Sequence, residues 1–432
     1  MSDFGGAATA AAVRRDFGGS AALAQRLLNF VLFVTVLTSS IAFIEPSPHD
    51  GMIFALLTMC VAAHVRFDRK LVPLFVLLIV WLVGGLLSLI QVGDQAAAVQ
   101  YGGTSIYLAL AAGMFACLFS DGNLLRLAVL RQAYILAALI ATAAGYIGYF
   151  HLLPGADIFL ADTDGSESFA RVSATFKDPN VYGPFLIFPL LILLSGFLTR
   201  GVRLAPLVAM IALLGGLFLS FSRGAWANFA VSAAICFVIT FAVTPEPRER
   251  RRMILLGLAV VLAVALLEIA VTSVESIHAM FLERAKALQP YDVGPGGRFW
   301  LQRVALGMIF DHPDGLGPFA FGLLFGTQQH NVYLQAFLVY GWLGGAAYLA
   351  IAILTLAVGF AALGVATPWQ QYFIVGYAAF VGNVLEGMIV DTDHWRHFFL
   401  LLGLVWGLAV ATINYQRRFR WQTAAALGAG VR

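Results

Sequence analysis

Polar residues in this chain are confined to short intervals, and between them lie long, continuous apolar runs. A helix needs about 20 such residues to cross roughly 30 Å of hydrocarbon. Runs of that kind lie near 27–44, 51–65, 72–92, 99–119, 132–152, 182–199, 203–220, 224–244, 253–274, 332–361, 370–390 and 397–415. They do not alternate apolar with polar positions, so they predict helices rather than barrel strands. The expected fold is an all-α polytopic integral membrane protein with about twelve transmembrane helices.

Two polar stretches interrupt this pattern, His151–Asn180 and Glu275–His330, the second far longer than an ordinary connection. Within it, Ser276–Leu288 sets Ile277, Met280, Phe281 and Leu288 against Glu283, Arg284 and Lys286, as in a helix lying on a membrane surface. After the turn Gly294-Pro-Gly-Gly297, Arg298–Phe310 predicts a second short helix, stopped by Asp311-His-Pro-Asp-Gly-Leu-Gly-Pro318. The expected organisation is an N-terminal tail 1–26, a membrane domain 27–415 that includes loops 151–181 and 275–331, and a C-terminal tail 416–432. The two loops together predict an outer helical cap.

Hydrophobic residues make up 60% of the 432 positions and charged residues 11%, which excludes a water-soluble globule. The basic residues set the orientation, because Lys and Arg are retained on the cytoplasmic side during insertion. With both termini inside, eighteen of the 26 Lys and Arg fall inside. The eight outside are Arg171, Lys177, Arg223, Arg284, Lys286, Arg298, Arg303 and Arg396. The net charge of +3 is small, and the basic loop Pro245–Arg252 suits topology and anionic lipid rather than nucleic acid. No cleavable leader is apparent, and the first apolar run is expected to serve as its own insertion signal. Cys60, Cys117 and Cys236 lie in apolar runs without CxxC spacing and imply packing, not a disulfide.

Seven of the eight histidines fall outside with those cations. Arg223, in Ser220-Phe-Ser-Arg-Gly-Ala-Trp226, has almost no loop around it and must sit at the membrane edge. One such arginine is explained as well by snorkelling to headgroups. Arg171, Arg223, Arg284, Arg298 and Arg303 together favour an anion site, since guanidinium holds phosphate oxygens with paired hydrogen bonds and a lipid diphosphate presents them at this depth. His330 opens the tenth run next to Asn331. A histidine there is ordinarily interfacial, but an uncharged imidazole can accept a proton from a sugar hydroxyl. Asp391-Thr-Asp-His-Trp-Arg-His397 gathers two acids, two histidines and an arginine. His394 and His397 have a spacing that metal ligands use, yet Arg396 would share their shell, so a hydrogen-bonded site wall of Asp391, Asp393, His394 and Arg396 is the stronger expectation. Glu268 and Glu386 lie inside apolar runs, where an ionisable group is either functional or a neutral acid bonded to a neighbouring helix.

These residues resemble the O-antigen ligase and O-antigen polymerase superfamily, which includes exopolysaccharide polymerases. Arg171-Val-Ser-Ala-Thr-Phe-Lys-Asp-Pro-Asn180 is similar to its outer-loop pattern, with Ala174 where Gly is common and Asp178 where Asn is common. Ser222-Arg-Gly224, Arg298-x-Trp300, Pro313-Asp-Gly-Leu-Gly317 and His330-Asn331 with Gly341 following occur in family order over roughly residues 165–400. The resemblance implies a GT-C-like glycosyltransferase of the bacterial inner membrane with a periplasmic site. Its donor would be a glycan on undecaprenyl diphosphate, transferred with inversion to an acceptor hydroxyl. His330 would be the base, the five arginines would bind diphosphate, and Asn180 and Asn331 would join the site wall. No cofactor and no metal are expected, the arginines supplying the positive charge. Expected partners are the lipid-linked donor, a glycan or lipid A core acceptor, membrane lipids, and chain-length regulator and flippase proteins. Polymerase and ligase share the donor and both stay open; the Asp391–His397 segment and the Phe-Phe-Leu-Leu-Leu-Gly after it look more like exopolysaccharide polymerases. A lipid-linked sugar transporter or flippase is the reading from a different class, and predicts charges near the midplane rather than crowded at one face.

Overall fold

A computed structural model describes residues 19–44, 46–93, 95–161, 170–272 and 292–429 of the chain. They form fifteen α-helices: α1 (Gly19–Thr38), α2 (Pro48–Ala62), α3 (Val72–Ser88), α4 (Gln95–Phe119), α5 (Leu124–Tyr149), α6 (Pro179–Phe185), α7 (Ile187–Arg200), α8 (Leu204–Leu219), α9 (Arg223–Val243), α10 (Pro247–Thr272), α11 (Arg298–Asp311), α12 (Ala320–Phe325), α13 (Val332–Leu363), α14 (Gln370–Glu386) and α15 (Arg396–Ala429). Among the described residues the only extended pairing is one bridge, Leu160 with Val172.

Every apolar run read from the sequence falls on a helix. Seven helical stretches are long and apolar enough to cross a membrane: Arg69–Gln91, Ala96–Phe119, Leu124–Tyr149, Pro179–Arg200, Arg223–Val243, Val332–Leu363 and Arg396–Phe419. Ala22–Thr38, Pro48–Ala62 and Leu204–Leu219 are shorter apolar helices. Two boundaries differ from expectation. The run at 182–199 is two helices meeting at Leu186, because Pro184 lacks the N–H that would continue the first. The last helix continues through the expected tail to Ala429. The surface helix expected at Ser276–Leu288, with Arg284, lies outside the described residues.

Lipid tails are as apolar as leucine, so helices in a bilayer associate by close packing of small residues rather than by escape from water. The two most extensive contacts follow that rule. Gly403 and Gly407 of α15 lie one turn apart against α4, and a Cβ on them would come within 2.5 and 2.7 Å of the carbonyls of Ala112 and Ala116. Gly84 of α3 meets Gly344 of α13 equally closely. Polar pins fix the ends: Arg126, 5% exposed, donates to Leu118 O and Asp121 and reaches Gln25 of α1, each at 2.9 Å.

α13 is broken at Gly341, whose φ of 65° is left-handed and non-helical. The break is filled by the Pro313-Asp-Gly-Leu-Gly317 segment. Leu316 and Gly317 donate to Leu338 O, and Trp342 donates to Pro313 O at 2.8 Å. A Cβ at Gly341 would stand 2.9 Å from Pro313 O. The segment therefore supplies the backbone partners that a broken helix loses in a medium without water.

Candidate active site

Arg223 and Arg298 are each the first residue of a helix, and both reach the same carboxylate. Ser222 caps α9, accepting from Ala225 N at 3.4 Å, and its own N–H donates to Ser220 Oγ. The turn from α8 to α9 takes only three residues, with Phe221 at φ 47°. Arg298 follows the turn 292–297, where Gly294 and Gly296 take φ 86° and 80° and fold Asp292 back over α11, so that Phe299 N donates to Asp292 O. Arg223 Nη2 then lies 3.1 Å from Asp292 Oδ2, and Arg298 Nη1 lies 3.4 Å from Oδ1. A cation at a helix N-terminus opposes the helix dipole, so two of them facing one another require an anion. Asp292, 3% exposed, is that anion.

The loop after α5 ties into the same corner. Arg171 donates to Ser220 O at 3.2 Å and to Asn180 Oδ1 at 3.0 Å, three residues from Arg223 along the chain. Asp178 caps α6 by accepting from Asn180 N at 2.7 Å, and Pro179 takes the first helical position. Asp178 thus performs the capping role open to the Asn usual there. Ala174 sits at φ 51°, a conformation suited to the glycine usual there.

His330 stands at the opening of α13, in the left-handed region at φ 51°. Such backbone costs about 1–3 kcal/mol in a non-glycine residue and persists where its surroundings impose it. The surroundings here are specific. Asn331 caps α13, accepting from Tyr333 N and Leu334 N, and donates to Met388 O at 3.1 Å. Gln302 donates to both His330 O and Met388 O, at 3.2 and 3.3 Å. Gln302 lies four residues after Arg298 on one face of α11, so Arg298 and the contact to His330 share that face. His330 Nδ1 is 3.6 Å from Asp391 Oδ2, and the imidazole is 42% exposed. Burial pushes the Asp391 carboxyl above the usual carboxylate range; the contact with His330 opposes that shift, while the charge of Asp393 adds to it.

The other residues singled out from the sequence divide. Asp393 turns inward and accepts from Tyr101 of α4, and His394 bonds Ser105 Oγ of α4 at 3.0 Å. Arg396 grips both oxygens of Asp50 on α2, at 3.1 and 3.2 Å. These three lock the 391–396 turn onto α4 and α2, and only Asp391 faces His330. His397 is buried against Phe185 and Trp395, apart from His394. Arg303 is exposed on α11, with no hydrogen bond or ion pair among the described residues. Glu386 is buried and accepts from Asn228 of α9 at 2.6 Å; a Cβ at Gly224 would lie 2.9 Å from its other oxygen, so α9 and α14 touch directly beneath Arg223. The side chain of Glu268, in α10, lies outside what is described.

Sequence reasoning missed Asp292 and Gln302. Asp292 offered one signal, an acid just before a Gly-Pro-Gly-Gly turn that leads into a helix beginning with Arg. Gln302 offered its four-residue spacing from Arg298.

No curated protein matches the chain. Residues 208–349 match the family model described as O-antigen ligase, a stretch that holds Arg223, Asp292, Arg298, Gln302, His330 and the Gly341 break. The match covers a third of the chain and supports a place in the O-antigen ligase and polymerase superfamily and, at that coarse level, an enzymatic role.

Proposed function

We propose that the chain is a glycosyltransferase acting at the periplasmic face of the bacterial inner membrane, with both termini cytoplasmic. It moves a glycan from undecaprenyl diphosphate to a sugar hydroxyl. The observation that carries this reading is the pair of helix-opening arginines, Arg223 and Arg298, on one buried carboxylate, joined through Gln302 to the His330–Asp391 pair. The apolar bundle suits the polyprenyl chain. Arg223, Arg298 and Arg171 bind the diphosphate, with Arg303, exposed on α11, and Arg284 as further contacts, guanidinium being suited to paired hydrogen bonds with phosphate oxygens.

In the transfer step the acceptor oxygen bonds to the anomeric carbon from the side opposite the diphosphate. The carbon–oxygen bond to the leaving group breaks, and its electron pair departs on the diphosphate, held by the arginines. The hydroxyl proton passes to His330. Asp391 beside Nδ1 favours the tautomer that carries its hydrogen there, which presents Nε2 as the proton acceptor. Asn180 and Asn331 border the site. Asp393, His394 and Arg396 shape the acceptor wall through the turn they anchor.

The acceptor reading we favour is another lipid-linked repeat unit, making the chain a polymerase for exopolysaccharide or O-antigen. This rests on the resemblance of the Asp391–His397 ending. Transfer to lipid A core is the second reading, and the description of the matched domain as an O-antigen ligase favours it. A deletion strain separates them: a polymerase mutant accumulates single repeat units, whereas a ligase mutant accumulates long chains on the lipid carrier. Purified protein given a lipid-diphosphate glycan and acceptor should lose transfer in Arg223→Ala/Arg298→Ala. Full turnover by that variant would sink the proposal.

A further inference from the structure

At the end of the bundle opposite Arg171, Arg223 and Arg298, a cavity of about 530 Å³ opens between α5, α7, α8 and α14. Its size falls in the range of about 300–1,000 Å³ usual for small-molecule sites. Three arginines from three elements border it: Arg131 on the second turn of α5, Arg200 closing α7, and Arg203 at the start of α8. Its walls are apolar, with Leu139, Phe188 and Ile192.

Arginines at a membrane edge commonly do no more than snorkel. What distinguishes these three is convergence from three elements on one apolar hollow, whereas three other arginines at this end are tied into the protein. Arg126 is bonded to Leu118 O, Asp121 and Gln25; Arg250 donates to Thr244 O at 2.7 Å; Arg252 donates to Leu198 O at 2.8 Å. The chain supplies hydrogen-bond acceptors to each of those cations. Arg131, Arg200 and Arg203 make no side-chain hydrogen bond or ion pair among the described residues, although they surround one hollow. Three guanidinium groups over apolar walls complement a phosphate joined to acyl chains better than a soluble anion, which would leave the walls uncovered.

We propose that this cavity binds an anionic phospholipid, its phosphate held by Arg131, Arg200 and Arg203 and an acyl chain lying along Leu139, Phe188 and Ile192. The site is separate from the transfer site, and its test does not read activity.

Native mass spectrometry of the purified chain in neutral detergent, with phosphatidylglycerol or phosphatidylcholine added, measures this directly. Phosphatidylglycerol should remain bound and phosphatidylcholine should not. Arg131→Gln/Arg200→Gln/Arg203→Gln should lower phosphatidylglycerol occupancy at least tenfold. Gly196 also lines the cavity, and a Cβ there meets nothing within 4 Å. Gly196→Leu, which keeps every charge, should retain the lipid-free melting temperature and lose the rise that phosphatidylglycerol gives the parent protein. Equal binding of the two lipids, undiminished binding by the triple variant, or displacement of the lipid by soluble glycerol phosphate at equal concentration would each overturn the proposal.

Discussion

The side-chain amide of Gln302 donates to the backbone carbonyl of His330 at 3.2 Å, joining the helix that opens with Arg298 to the residue proposed as base. The same amide reaches Met388 O, so three elements meet on one nitrogen. Gln302 touches no reacting atom in the proposed step and acts by position alone. Displacing a catalytic group by about 1 Å can cost about 100-fold in rate. Gln302→Leu should therefore lower kcat by one to two orders of magnitude, as ~10–100-fold, with little change in donor affinity. Gln302→Glu keeps the length but loses the donor and should not rescue. A rise in KM at constant kcat would assign Gln302 to binding instead.

Asp292 should matter most when the site is empty. Removing the acid from a buried ion pair costs about 3–5 kcal/mol, and less where the cations are part-exposed, as Arg223 and Arg298 are. Asp292→Asn should melt at a lower temperature than the parent protein. Added pyrophosphate should raise the variant's melting temperature by more than the parent's, since it replaces the missing anion. Equal shifts in both proteins would separate Asp292 from the proposed diphosphate position.

His330→Asn is a better probe than His330→Ala, because Asn tolerates the left-handed backbone that His330 adopts. The variant should fold and bind donor. General-base assistance contributes about 10²–10⁴-fold, so single-turnover transfer should fall by that order. Transfer within a few-fold of the parent would place the base elsewhere, with His394 the next residue to examine.

Asp391 should leave a signature in stability against pH. Its folded-state carboxyl holds a proton more tightly than in the unfolded chain, where it titrates near about 3.9. Its contribution is fully present below that value and is lost as pH rises through the raised folded value. The melting temperature of the parent relative to Asp391→Asn should accordingly decline on going upward through the acidic range. A difference that grows with pH would contradict the burial assigned to this carboxyl.

Topology follows from the division of basic residues. A reporter active only in the periplasm should be active when inserted at Gly294 and silent at Glu249 or after Arg418. Activity at Glu249 would invert the orientation and with it the side on which transfer is proposed.

The helices were legible because lipid imposes one requirement, an unbroken apolar run, and each such run in the sequence fell on helical residues, the one at 182–199 as two helices. Their interior pairing was less so: Gly403 and Gly407 carry a recognisable spacing, but that Ala112 and Ala116 face them depends on the whole bundle. At the candidate site, Arg223 and Arg298 stand out in the sequence through charge, as cations outside the usual bias. Asp292 was not, because a single acid in a loop is commonplace until the fold places two guanidinium groups on it. Arg396 and Asp393 show the converse. A dense cluster of polar residues in sequence separates in space when alternate residues of a turn face different helices.

Gly341 has a bearing on how the enzyme would meet bilayers of different thickness. The break divides α13 into an upper rod that begins just after His330 and a longer lower rod, and both are spliced to the same five residues, Pro313–Gly317. Spanning helices respond to thickness by changing their tilt, at a cost of fractions of a kcal/mol per ångström of mismatch. A rigid α13 would carry that tilt to its tip as a displacement of His330. With a break at Gly341, the direction of the upper rod is set by its own contacts to Gln302, Met388 and Leu316 rather than by a continuous helix that carries the tilt of the lower rod.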